Sequence, residues 1–261
     1  MSVLDDVFTR CGEEGRSALV GYLPAGYPDL PTSLEAVRTL ARAGADVIEV
    51  GVPYTDPLMD GPVLERAAST ALRAGFRLKD VFTVVEAARD AGAVPVVMTY
   101  WNPVLRYGVD RFAQDLADAG GAGLITPDLI PDEAGAWRSA ADERGLAPVF
   151  LVAPSSTDDR LRSTTQACRG FVYVASTMGV TGVRASVGSD AERLVERTRA
   201  VTDLPLCVGL GVSTGAQAAQ VAAFADGVIV GSALVRALRG DDGLQALEHL
   251  THQLAEGVRG V

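Results

Sequence analysis

Lysine, histidine and cysteine are scarce in these 261 residues, and each scarcity closes off a class of chemistry. Lys79 is the only lysine and stands in the polar run GFRLKD, at the start of a helical segment. An enzyme that forms an imine with its substrate, or holds pyridoxal phosphate, has no pocket lysine to use. His249 and His252 are the only histidines, both in the closing helical stretch GLQALEHLTHQLAEGV. Their spacing can bring them to one face, but no third ligand lies nearby, so no metal site is expected. Cys11, Cys168 and Cys207 are odd in number, widely spaced and outside any CxxC pattern, which suggests neither a disulfide framework nor a zinc site.

Basic charge is also short. Against 33 acidic residues stand 23 basic ones, a formal charge of -10, with no basic run to meet nucleic acid. An anionic substrate must then be held by local amides rather than by the overall field. No apolar run approaches the ~20 residues of a membrane span, and MSVLDDVFTRCGEEGR lacks the basic start and apolar stretch of a signal peptide. The expectation is a cytoplasmic chain.

What is present is a repeated alternation of short apolar runs with helical spacing. A short amphipathic helix over 2 to 14 precedes strand-like ALVGYL (18 to 23), VIEVG (47 to 51), VPVVMTY (94 to 100), GLITP (123 to 127), APVFLV (147 to 152), FVYVA (171 to 175), LPLCVGL (204 to 210) and DGVIVG (226 to 231). Helical patterns separate them. About eight βα units in this length predict an α/β fold, a closed (β/α)₈ TIM barrel with extra helices. An open doubly wound sheet is the alternative, but no GxGxxG follows the first strand. AGADVIEVG (43 to 51) echoes FADGVIVGS (224 to 232), as duplicated βα units would. With no linker-like segment, residues 1–261 read as one domain.

Glu49 breaks the pattern most sharply. Val47, Ile48 and Val50 are β-branched and read as a buried strand, a place that should reject a charge. A structural ion pair is one explanation, yet the neighbouring strand-like runs carry no basic residue. Side chains alternate along a strand, so Glu49 shares the Val47 face and can point into the barrel near its carboxyl end, where barrel enzymes act. Burial there raises its pKa and suits it to proton transfer. The following loop, VPYTDPLMDGP, brings Asp56 and Asp60 to the same rim, although Asp before Pro or Gly is also ordinary turn chemistry.

Glycines mark a second corner. MGVTG (178 to 182), GLG (209 to 211) and GS (231 to 232) follow the last three strands, where barrels often bind phosphate through bare backbone N–H groups. They could equally do no more than end strands. Tyr22, Met98, Ile125, Tyr173 and Ile229 lie near strand ends and could line an apolar pocket between carboxylates and glycines, fit for a flat aromatic ligand with a phosphorylated tail. Trp137 falls in a helix and reads as surface packing.

The run IEVGVPYTDPLMDGP resembles the signature of the tryptophan synthase alpha subunit family. The similarity extends through LVGYLPAGYPD, MTYWNP, LITPDLIPDE, VYVASTMGVTG, GLGVST and VIVGSALV, essentially the whole chain. The resemblance implies a barrel that cleaves indole-3-glycerol phosphate into indole and glyceraldehyde 3-phosphate. It implies Glu49 as the strand acid/base and Asp60 as the loop carboxylate, with Tyr22, Met98, Ile125, Tyr173, Thr181 and Ile229 around substrate. Gly182, Leu210, Gly211, Gly231 and Ser232 match the phosphate-binding positions. It implies no cofactor in this chain, and as partner a beta subunit carrying pyridoxal phosphate in an αββα complex, met through Pro53, Asp56, Trp101 and Asn102. The chain departs from the family at Thr177, Met59, Thr55 and Glu65, where many members have Arg, Ala, Ser and Gln. A free-standing indole-releasing lyase, a silent regulatory barrel and another phosphosugar barrel are the remaining alternatives.

Overall fold

The computed structural model describes residues 2–175, 189–209 and 211–260. Its single sheet is parallel and contains β1 (Ala18–Pro24), β2 (Val47–Gly51), β3 (Val94–Met98), β4 (Gly123–Ile125), β5 (Ala147–Val149), β6 (Leu151–Val152), β7 (Val172–Ala175), β8 (Leu206–Gly209) and β9 (Gly227–Val230). The strand order runs β5-β4-β3-β2-β1-β9-β8-β7-β6. Its two ends, β5 and β6, are halves of one run parted at Phe150, whose carbonyl accepts the Tyr173 N–H at 3.2 Å. The sheet thus closes through 147 to 152 as an eight-stranded barrel, with that run serving one barrel position in two pieces.

Helices follow the strands as the sequence predicts: α1 (Val3–Glu13), α2 (Leu30–Arg42), α3 (Pro62–Arg73), α4 (Asp80–Asp90), α5 (Trp101–Tyr107), α6 (Val109–Asp118), α7 (Gly135–Arg144), α8 (Asp158–Ala167), α9 (Ser189–Arg199), α10 (Gly215–Ala222), α11 (Ser232–Ala237) and α12 (Gly243–Gly257). Local chemistry sets their limits. In α2, Asp29 accepts the Thr32 N–H at 2.8 Å, Pro31 sits in the first turn, and Ser33, Ala36, Val37 and Leu40 form the buried face. The short α5 was not legible from the sequence; the N–H of Trp101 at its start donates to the Asp128 carboxylate at 2.9 Å.

Strand alternation divides the apolar residues into two cores. Ile48 and Val50 pack outward between sheet and helices with Leu19, Val97 and Leu124. Val47 faces the interior with Val20, Val96 and Val149. Helix α1 seals the amino-terminal end, adding Leu4, Val7 and Phe8 to the inner core, with Phe8 and Phe171 rings 5.8 Å apart. Trp137 corrects the expectation of surface packing: it is fully buried in the outer core. Its α7 neighbours facing inward, Ala140 and Ala141, are small, and the indole fills the volume they leave.

The sequence echo has a structural counterpart. Asp46, just ahead of β2, accepts the Leu19 N–H of β1 at 2.9 Å, and Asp226, just ahead of β9, accepts the Leu206 N–H of β8 at 2.7 Å. Each pairs with an arginine, Asp46 with Arg16 at 2.7 and 2.8 Å and Asp226 with Arg199 at 2.6 Å. Burial would raise the pKa of Asp46, but the Arg16 and Leu19 hydrogen bonds outweigh it and hold the carboxyl below its usual value. Because Arg16 is itself buried, Asp46→Asn is expected to cost about 3–5 kcal/mol, seen as a lower urea midpoint at unchanged slope. A wild-type midpoint would show that the pair contributes nothing.

Candidate active site

Register alone brings the first residues together. Tyr22 of β1 pairs with Glu49 of β2, and Glu49 with Val96 of β3. Glu49 shares the inner face of β2 with Val47, one residue short of the strand's carboxyl end at Gly51. That glycine is required by a close approach, since a Cβ there would overlap the Tyr22 ring.

Glu49 is 1% exposed, and neither of its carboxyl oxygens has a hydrogen-bond partner. Among the described residues, the structural ion pair considered from the sequence does not form. Desolvation first, and then the negative charge of Asp60, push its pKa up to about 8. The same surroundings hold the phenols of Tyr22 and Tyr173 well above their ordinary values, again by burial first; Asp60 and then Glu49 add to the effect at Tyr22, and Glu49 at Tyr173. Glu49 thus shares its field with Asp60, Tyr22 and Tyr173 at the carboxyl end of the barrel.

Asp60 is placed by a residue the sequence reading did not single out. The Tyr100 hydroxyl, just past β3, donates to Asp60 Oδ1 at 3.2 Å and accepts the N–H groups of Leu58 and Met59, each at 3.0 Å. One phenol thus ties three consecutive residues of the loop after β2. The Tyr54 ring lies 5.4 Å from that of Tyr100, and the Asn102 side chain donates to the Tyr54 hydroxyl at 3.1 Å. Burial raises the Asp60 pKa, the Tyr100 bond lowers it and Glu65 raises it, for a net increase.

Four of the predicted pocket residues converge, while Tyr22, beside Glu49 in register, packs against the outer core. Ile125 and Ile229 belong to the inner core, and Met98 and Tyr173 pack against it. Gly211 follows β8 in a left-handed conformation, φ 72°, which a side chain would strain. Gly231 lies between β9 and α11, and Ser232 is buried at the first position of that helix. Thr181, Gly182 and Leu210, together with Thr177, lie outside the described residues. On the rim, Asp56 and Asn102 are exposed and Trp101 half-buried, whereas Pro53 is buried within the chain. Leu58, not singled out from the sequence, is 73% exposed beside them in the loop. Among the described residues, no group of three or more His, Cys, Asp or Glu side chains could hold a metal ion.

Against known proteins, the sequence matches the model of the family described as tryptophan synthase alpha chain over residues 8–259. The tryptophan synthase alpha chain of Mycobacterium avium (strain 104) is 60% identical over 258 residues, covering 99% of this chain and 95% of that protein. A structure of Mycobacterium tuberculosis tryptophan synthase aligns with a TM-score of 0.95 at 60% identity, over 99% of this chain and 98% of that one. The tryptophan synthase subunit alpha of Legionella pneumophila str. Paris is only 31% identical, yet aligns over 100% of both chains with a TM-score of 0.90. Strand register, the coupled carboxyls and near-complete coverage by these relatives agree, and the chain belongs to the tryptophan synthase alpha chain family.

Proposed function

We propose that this chain cleaves indole-3-glycerol phosphate to indole and D-glyceraldehyde 3-phosphate, with Glu49 as the proton carrier and Asp60 as its electrostatic partner. The observation that carries the assignment is the unpartnered, buried carboxyl of Glu49 on the inner face of the barrel. With a pKa of about 8, it is protonated at pH 7 in roughly ten-fold excess over its anion.

The chemistry then balances without an imine. Glu49 gives its proton to C3 of the indole ring, and the ring becomes a cationic indolenine. Asp60, oriented by Tyr100, stabilises the proton on the ring nitrogen, or takes it up and returns it as the bond breaks. The Glu49 anion next takes the proton from the hydroxyl on the adjoining carbon of the glycerol chain. As that oxygen becomes a carbonyl, the carbon–carbon bond breaks, its electron pair returns to the ring, and Glu49 ends protonated as it began. Tyr22, Met98, Ile125, Tyr173, Thr181 and Ile229 surround the indole and glycerol parts. Backbone N–H groups around Gly182, Leu210, Gly211, Gly231 and Ser232 receive the phosphate, which suits a chain of charge -10.

The indole passes to a beta subunit, which holds the pyridoxal phosphate; the alpha chain itself uses no cofactor in this scheme. The rim carrying Asp56, Trp101 and Asn102, with the Pro53 loop and the exposed Leu58, meets that partner. Among the described residues no helix is long and apolar enough to cross a membrane.

Glu49→Gln tests the assignment through two opposed readouts. Indole release should fall about 10²–10⁴-fold with little change in KM. Stability should move the other way. A folded pKa raised to about 8 means that, between the unfolded value near 4.5 and 8, the native chain keeps a proton the unfolded chain has lost, so native stability drops as pH rises. Removing the group should therefore stabilise the fold on the order of 3 kcal/mol at pH 7 and by almost nothing near pH 4. Near-normal turnover would sink the role of Glu49. In the wild type, kcat/KM should decline tenfold per pH unit above about 8 as the proton donor is lost; a profile flat to pH 10 would contradict the scheme. Co-elution with a beta subunit in size-exclusion chromatography should be weakened by Leu58→Asp, and unchanged elution would remove the rim from the interface.

A further inference from the structure

Away from the barrel interior, a cavity of about 210 Å³ lies between α3 and α11, and four of its lining residues are arginines. Arg66 and Arg73 come from α3, and Arg236 and Arg239 from the end of α11 and the turn after it. Thr70 of α3 and Tyr27 complete its polar lining. The spacing accounts for the convergence. Arg66, Thr70 and Arg73 recur at intervals of four and three residues on one face of α3, and Arg236 and Arg239 stand three apart. The two faces meet across the cavity.

Among the described residues, none of the four arginines makes an ion pair, although acidic residues outnumber basic ones 33 to 23. Elsewhere arginines pair with carboxylates in Arg38–Glu35, Arg160–Asp132 and Arg197–Asp158, while Arg42, Arg77, Arg106, Arg138, Arg169 and Arg259 stand singly without an ion pair among the described residues; what sets the four apart is that they share one concavity. Here Arg73 Nη2 donates to Thr70 Oγ1 at 3.4 Å, and Thr70 Oγ1 donates to the Arg66 carbonyl at 2.8 Å. Helix dipoles explain part of the arrangement, since Arg73 and Arg236 lie in the last turns of their helices. They do not explain Arg66, in the amino-terminal half of α3, nor the gathering of all four cations around one concavity, where like charges repel. An anion would remove that repulsion.

We propose that this α3–α11 cavity is a binding site for a small, multiply charged oxyanion of the phosphate class, separate from the glycine corner at the other end of α11. The volume is below the ~300 Å³ at which sites for drug-sized ligands begin, which favours a compact ion over an extended one. Planar guanidinium groups offer paired N–H donors that match phosphate oxygens two at a time.

Titration calorimetry of the full chain with inorganic pyrophosphate at low ionic strength tests the site. Wild-type protein should show saturable binding, and Arg66→Gln with Arg239→Gln together should weaken it at least tenfold. The charge-matched pair Arg42→Gln with Arg138→Gln, on other surfaces, should leave it within twofold. Absence of saturable binding, undiminished affinity in the first double variant, or equal losses in both would each overturn the proposal; the last would show that only the overall field had been sensed. Circular dichroism and melting of each variant guard against misfolding; Arg66, Arg239 and Arg42 are exposed, and Arg138 is half-buried. Should the first pair fail to fold, Arg239→Gln alone must still weaken binding at least threefold, and wild-type affinity in that variant would overturn the proposal.

Discussion

A carboxyl group closed off from water without a hydrogen-bond partner must keep its proton or destabilise the molecule around it. Glu49 is in that position, and much of the barrel mouth is arranged to keep it there. The strand holding it is β-branched on both sides, Gly51 makes room for the Tyr22 ring, and Asp60 adds negative charge to the penalty of burial. Raising a carboxyl's pKa requires only that stabilising partners be withheld. Withholding them costs stability at neutral pH, and the cost falls on the fold as a whole.

That cost is met at the opposite end of the barrel. Where the mouth leaves a carboxyl unpaired, the amino-terminal end saturates its own: Asp46 takes two bonds from Arg16 and one from the Leu19 amide, and Asp226 repeats the design with Arg199 and Leu206. These clamps tie adjacent strands at the base, while helix α1 fills the inner core beneath them. Rigid ordering at one end lets the other tolerate an uncompensated group, a division of labour familiar in barrel enzymes.

The sequence made some of this legible and hid the rest for physical reasons. The barrel could be read because each βα unit carries its own periodicity, and seven of the eight strand-like runs became single strands. Glu49 could be read because a charge among Val47, Ile48 and Val50 violates a local rule. Tyr100 could not. Its value lies in reaching Asp60 across 40 positions, and nothing around MTYWNP announces which loop will arrive there. Trp137 was misplaced because helical periodicity gives a face but not its depth; the small Ala140 and Ala141 beside it make the indole a filler of the core. The arginines of α3 and α11 show the same limit, since their spacing is visible within each helix while their meeting is a property of the fold.

The sealed base has a further consequence. Phe8 and Phe171 close the inner core under the strands, and side chains from α1 occupy the space where a through-channel would run. Among the described residues the base offers no passage, so a fragment released at the carboxyl end departs by way of the rim, and a lid fitted from outside would decide where it goes next.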